Sequence, residues 1–180
     1  MSIKPIPPQA MPSVPGLDNP QKFYQVLREP APLAGMSFPE GNPWAFLASV
    51  GFRSVVCLTH GVLPYDPAPL LVLRSATLKD LAGDVQPDDP KREADTLKEI
   101  VQAVVSELRA GRGVVVHCAG GTGRTGTVIA CTLRTLGMAN NEVLTYMANL
   151  NQAREKYAGW KGWPESDWQR RQVTGWALDV

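Results

Sequence analysis

No stretch of this chain reaches about 18 consecutive apolar residues, so nothing in it predicts a membrane-spanning helix. An excess of one charge is also missing: 18 basic residues stand against 17 acidic ones, a formal +1. A balance that close sets up no field toward nucleic acid or a membrane surface, and neither partner is expected. Cysteine is scarce, three in 180 residues at wide spacing, which does not make a disulfide framework. The first residues lack the charged-then-apolar pattern of a secretory signal. Together these absences predict a reducing, cytoplasmic setting. There is no internal repeat. There is also no Gly-Lys-Ser/Thr, which excludes a nucleoside-triphosphate P-loop.

The hydrophobic share of 44% in 180 residues suffices for one core and is too small for two comfortable domains. Residues 1–20 hold Pro5, Pro7, Pro8, Pro12, Pro15 and Pro20, and predict an extended arm. A single domain is expected over 21–180, as a monomer.

Within that domain short apolar runs alternate with helical patterns. Asn42 and Pro43 read as N-cap and first residue of a helix stopped by Gly51, with Trp44, Phe46, Leu47 and Val50 inward. Strands are predicted at 53–58 and 70–73. The stretch 75–90 reads as a loop. Asp89 and Pro90 open the clearest helix, to about Ala110, with Leu97, Ile100, Val101, Val104, Val105 and Leu108 on one face. Val114–Val116 is all apolar, as in a strand covered on both faces. Further helices are expected from about Arg124 to Gly137, from an Asn140 or Asn141 cap to about Leu150, and from Ser166. This order predicts an α/β fold, a central and mostly parallel sheet flanked by helices.

The chemistry lies in His117-Cys118-Ala119-Gly120-Gly121-Thr122-Gly123-Arg124-Thr125-Gly126, between the buried strand and a helix N-terminus. The first amides of a helix have no internal partner, and with the helix dipole they attract an anion. The glycines let the backbone of residues 119–123 curl so that successive N–H groups aim at one phosphate. Cys118 would lie at the bottom of that cradle, where a helix N-terminus and cationic neighbours favour the thiolate. A thiolate is a strong nucleophile toward phosphorus. Arg124 would close the ring, its planar fork binding two phosphate oxygens. Thr125 is placed to donate its hydroxyl to the sulfur. Gly121, Gly123 and Gly126 also spell a dinucleotide fingerprint. That reading lacks the acidic residue on a second strand and leaves Cys118 and Arg124 without a role.

His-Cys, five residues, Arg, then Ser or Thr resembles the active-site signature of the cysteine-based protein tyrosine phosphatases. HCAGGTGRTG is most similar to their dual-specificity branch. Leu33-Ala34-Gly35-Met36, the helix ending at Gly51 and Val55-Val56-Cys57-Leu58-Thr59 resemble that family's opening strand, helix and strand. The resemblance covers most of the body and leaves out the Pro-rich arm. It implies a two-step reaction through a phosphocysteine, without metal or cofactor. An aspartate on a separate loop would protonate the leaving oxygen and then activate water. Asp80, Asp84, Asp88 and Asp89 are the candidates. Leu78-Lys79-Asp80-Leu81-Ala82-Gly83 best resembles the family's segment, so Asp80 is preferred and Asp84 is the alternative. Asp80 precedes Cys118 by 38 residues, which needs a small insertion.

The plainer readings are these. Cys131 is a core residue. Cys57 is core, or it forms a reversible disulfide with Cys118 that guards against overoxidation. His117 orients the loop and tunes the thiolate, and His60 is a loop residue. Ser166 and Gln169 form a capping box; in some relatives a glutamine near here positions the hydrolytic water. Trp160, Trp163, Trp168 and Trp176 pack the last helix, with Trp160 or Trp163 as a possible substrate rim. The function expected is hydrolysis of phosphomonoesters, phosphotyrosine or phosphoserine/threonine in proteins. The rivals are a non-protein phosphate (phosphoinositide, RNA 5′-phosphate or metabolite) and a phosphate-binding module with weak catalysis.

Overall fold

The computed structural model describes residues 3–10, 14–18 and 20–177. Five strands make one sheet: β1 (Phe23–Leu27), β2 (Leu33–Met36), β3 (Phe52–Cys57), β4 (Leu71–Ser75) and β5 (Gly113–His117). Their spatial order is β1-β2-β5-β3-β4. Only β1 runs antiparallel to its neighbour; β2, β3 and β4 join β5 as a parallel set. The helices are α1 (Trp44–Ser49), α2 (Pro90–Arg109), α3 (Gly123–Thr135), α4 (Asn140–Ala153) and α5 (Asp167–Thr174).

The all-valine strand sits at the centre because both its faces are covered. Val114 and Val116 point into the larger core with α2, α3, α4 and α5, and Val115 points into the smaller one with Trp44 and Leu47 of α1. That alternation is the two-residue period of a strand. α2 has the predicted cap: the Asp89 carboxylate accepts from the Arg92 N–H at 3.0 Å. All six apolar residues that the spacing puts on one face of α2 are buried.

Several boundaries differ from the sequence reading. The first helix begins at Trp44, with Pro43 rather than Asn42 at the cap position, although Asn42 Oδ1 still accepts from the Trp44 N–H at 3.4 Å. It ends at Ser49, so Val50 falls past its last turn and is 48% exposed instead of inward. β4 is an edge strand with Leu71 exposed. Ala139 rather than an asparagine holds the cap position of α4, its N–H taken by the Glu142 carboxylate at 2.9 Å. No strand was expected over 23–27. Part of the Pro-rich arm lies against that strand: the Ile6 N–H donates to Val26 O at 2.7 Å, and Tyr146 Oη donates to Ile6 O at 3.0 Å. Pro12 lies outside the described residues.

Because Asp89 serves α2, Asp89→Ala is expected to cost about 1 kcal/mol of stability. Urea unfolding measures this.

Candidate active site

β5 ends at His117 in the middle of the sheet, and α3 starts at Gly123. The turn between them is held by its carbonyls. Ala119 O accepts from the Phe38 N–H at 2.8 Å, Gly120 O from Lys156 Nζ at 2.6 Å and Gly121 O from Tyr24 Oη at 2.7 Å. Three donors from three parts of the chain pull three successive carbonyls outward. In a trans peptide the N–H points opposite to the C=O, so the amides that follow these carbonyls are turned into the loop. Gly121 has φ +68°, and a Cβ there would lie 2.6 Å from the backbone of Met36 and Ser37. Glycine meets both demands.

Cys118 lies at the floor of this loop, only 2% exposed. The Arg124 guanidinium reaches across to the loop before α2. Its Nη2 is 3.1 Å from Asp80 Oδ2, and Nη1 donates to Leu78 O at 3.4 Å. Arg124 is nearly buried, whereas Asp80 is exposed. Asp80 is the one of the four candidate aspartates with an ion pair to Arg124. Asp84 follows Gly83, whose N–H and C=O are bonded to Glu165 O and the Asp167 N–H, and its own carbonyl accepts from Gln86. Asp88 pairs with Lys79, and Asp89 caps α2.

The expected hydroxyl bond from Thr125 to the sulfur is not formed. Thr125 Oγ1 is buried and bonds to no atom among the described residues. His117 is fully buried; its Nδ1 lies 3.3 Å from Cys118 O, and its Nε2 bonds to Tyr65 Oη. Its strand-register partner is Cys57. Burial pushes the Cys57 thiol up, but hydrogen bonds with His117 and Thr59 outweigh that and bring it down to about 5. The three cysteines are free and buried, and burial pushes the Cys131 thiol well up, as befits a core residue.

Gln169 does two things at once. Its N–H donates to Ser166 Oγ at 3.3 Å, which caps α5. The return bond of the expected capping box goes instead to the preceding residue: Gln169 Oε1 accepts from the Glu165 N–H at 2.8 Å. Its Nε2 reaches the cradle, 2.6 Å from where a Cβ on Gly123 would stand. The Trp residues divide by role. Trp163 is core and donates from Nε1 to Thr127 Oγ1 at 3.0 Å; Trp176 donates to Thr135 Oγ1 at 2.9 Å. Trp160 instead lines a cleft of about 550 Å³ beside the cradle, together with Asp80, Leu81, Tyr157, Lys161 and Glu165.

Glu165 was absent from the sequence reading as a site residue. Its carboxylate fills the space where a Gly123 side chain would be and faces the Gly123 amide. Burial and then the Asp80 charge hold its carboxyl above the usual carboxylate range, against the Gly123 amide, Arg124 and Lys156. Its one local signal was a position just before a serine cap. Tyr24, Arg154 and Lys156 were likewise not picked out. Among the described residues no cluster of three or more His, Cys, Asp or Glu side chains is arranged to hold a metal.

A family profile described as "PTP-SAK: Swiss Army Knife protein, DSP-PTPase phosphatase domain" matches residues 22–165. Solved structures are similar in fold. One is Tk-PTP in the active form, at 23% identity and TM-score 0.57 over 82% of this chain and 92% of that one. The human tyrosine phosphatase-like serine/threonine/tyrosine-interacting protein is 14% identical, with TM-score 0.55 over 79% of this chain and 89% of its own. TpbA of P. aeruginosa is 20% identical, with TM-score 0.51 over 89% and 94%.

Glu165 and a bound phosphate would compete for the Gly123 amide and repel one another. Glu165→Gln is therefore expected to tighten orthovanadate inhibition about 5-fold at pH 7.5, from roughly 1 kcal/mol of relieved repulsion. The sign follows from the raised carboxyl: it loses its proton at higher pH than an ordinary glutamate, so the gain should shrink toward pH 5. Equal inhibition of both proteins at both pH values would contradict it.

Proposed function

The chain belongs to the DSP-PTPase family, the dual-specificity type of cysteine-dependent phosphatase, and from that premise we propose that it hydrolyses phosphotyrosine or phosphoserine/threonine esters of proteins through a phosphocysteine on Cys118. What supports the reading is a buried Cys118 at the head of a loop whose carbonyls are tied to the body, with Arg124 of the following helix paired to Asp80.

In the first step the Cys118 thiolate attacks phosphorus. The S–P bond forms as the ester P–O bond breaks, and Asp80 gives its proton to the leaving oxygen. Arg124 and the amides of residues 119–124 hold the equatorial oxygens, where charge gathers in the transition state. An entering phosphate offers Arg124 a new anionic partner, which releases Asp80 toward the leaving group. In the second step water attacks phosphorus, Asp80 takes its proton, and the thiolate departs. In this reading the Thr125 hydroxyl, which has no partner among the described residues, donates to the departing sulfur, and the Gln169 amide beside Gly123 orients the water.

The choice of a protein substrate rests on two features. The cradle positions Ala119, Gly120, Thr122 and Gly123 carry no cationic side chain. The adjoining cleft presents Tyr157 and Trp160, an aromatic wall suited to a peptide. A non-protein phosphate is the second reading, favoured by Lys161 in the same cleft and by Lys156, which follows α4 and bonds to the loop carbonyl of Gly120. No helix among the described residues is long and apolar enough to cross a membrane. The setting proposed is cytoplasmic and the state monomeric.

Hydrolysis of para-nitrophenyl phosphate in EDTA tests the roles. Cys118→Ser should leave no turnover. Asp80→Asn should fall by about 10²–10⁴, more steeply for alkyl than for aryl esters, while Asp84→Asn stays near wild type. A larger fall for Asp84→Asn would move the acid there. A panel of phosphopeptides and phosphoinositide vesicles then separates the two substrate readings.

A further inference from the structure

The three donors that hold the cradle carbonyls differ in kind. Phe38 serves Ala119 O with its backbone N–H, so that tie comes with the chain whatever the side chain is. Lys156 serves Gly120 O from the rim of a second cleft, of about 460 Å³, which it lines with Asp18, Lys22, Phe38 and Ala119. At such a rim water can take the place of a lost donor. Tyr24 is fully buried, and its Oη donates to Gly121 O at 2.7 Å. A buried carbonyl that loses its donor has no water to turn to.

The fold makes a slot for this hydroxyl. Across the β1–β2 ladder Tyr24 is paired with Gly35, where a Cβ would lie 2.2 Å from Tyr24 Cζ and 2.4 Å from Oη. A glycine inside a strand marks a place where another group comes close, and here that group is the hydroxyl end of the phenol. The Arg154 guanidinium covers the ring, 3.9 Å from its centroid, while its Nε and Nη2 donate to Pro20 O and Gln21 O just before β1. Burial pushes the phenol up, so the hydroxyl keeps its proton and stays a donor. The bond acts on one peptide: with Gly121 O turned to Tyr24, the Thr122 N–H is turned the other way, into the loop. Gly121 stands at φ +68° and has no side chain to resist rotation of that peptide.

We propose that Tyr24 is a positioning residue for phosphoryl transfer: its hydroxyl fixes the peptide after Gly121 so that the Thr122 amide meets an equatorial oxygen of the transition state. The proposal rests on the phosphocysteine reading above. That reading fails on the Cys118→Ser assay, whereas this one fails on Tyr24→Phe with Cys118 intact. A donor aligned in advance counts most where charge gathers, so its loss falls on kcat and on a transition-state analogue more than on ground-state binding. A tyrosine that only fills the core would change stability and leave that balance as it was.

Tyr24→Phe keeps the buried ring and removes the donor. Circular dichroism and urea unfolding first establish that the variant is folded at the assay temperature. It is then compared with wild type in kcat and KM for para-nitrophenyl phosphate, and in inhibition by orthovanadate and by inorganic phosphate. The kcat is expected to fall about 10-fold and the orthovanadate Ki to rise about as much, while KM and the phosphate Ki stay within about 2-fold. A folded Tyr24→Phe with the wild-type kcat would overturn the proposal. So would equal weakening of orthovanadate and phosphate, the mark of a loosened cradle that binds every anion less well. If Tyr24→Phe does not fold, Gly35→Ala decides, because its Cβ displaces the hydroxyl without removing it. The same fall in kcat at steady KM then upholds the proposal, and any other result overturns it.

Discussion

Three carbonyl oxygens held outward, those of Ala119, Gly120 and Gly121, set the shape on which the site depends. A peptide that turns its oxygen to the body turns its N–H to the cradle. The donors come from Phe38 after β2, Lys156 after α4 and Tyr24 in β1, so the loop is right only when the whole domain is assembled. β5 delivers Cys118 to that place as the central strand, buried on both faces and paired with β2 on one side and β3 on the other. α3 then adds its first-turn amides, that of Gly123 facing Glu165, and its dipole. Local sequence thus makes an anion-binding turn possible, and tertiary packing makes it specific.

Around this turn the charges are unevenly placed. Arg124 and Lys156 border the loop, Arg154 lies buried over the Tyr24 ring, and Asp80 and Glu165 stand at the side that opens to the cleft. The cations can stabilise a thiolate and a phosphate. The carboxylates oppose a dianion unless they move or carry a proton, which suits groups that handle protons during the reaction. Glu165 is the more confined of the two, set against Gly123, whereas Asp80 is exposed and paired with Arg124. The two carboxylates therefore differ in environment more than in chemistry.

The sequence made the central unit readable because its signals were local. Strand, cradle and helix follow one another within about twenty residues, and α2 carries a long helical period with a clear cap. Other features were not local. β1 is five residues of mixed polarity after a Pro-rich stretch, and it gains its identity from pairing with β2. Tyr24 meets Gly121 across 97 residues and Arg154 meets Pro20 across 134. In sequence, Arg154 looks like any solvated cation at a helix end. Spacing left Asp80 and Asp84 both open; the ion pair to Arg124 separates them in space. Val50 shows the opposite limit: its helical phase pointed inward, but the helix stopped one residue too soon.

The central claim is that a phosphoryl group passes through Cys118. Rapid acid quench during turnover of an aryl phosphate, followed by tryptic digestion and mass spectrometry, tests it directly. The account predicts one phosphoryl group on the peptide 113–124, fragmenting to Cys118, and none there in Cys118→Ser. Phosphoryl transfer to a different residue, or steady turnover by a Cys118→Ser protein, would contradict it.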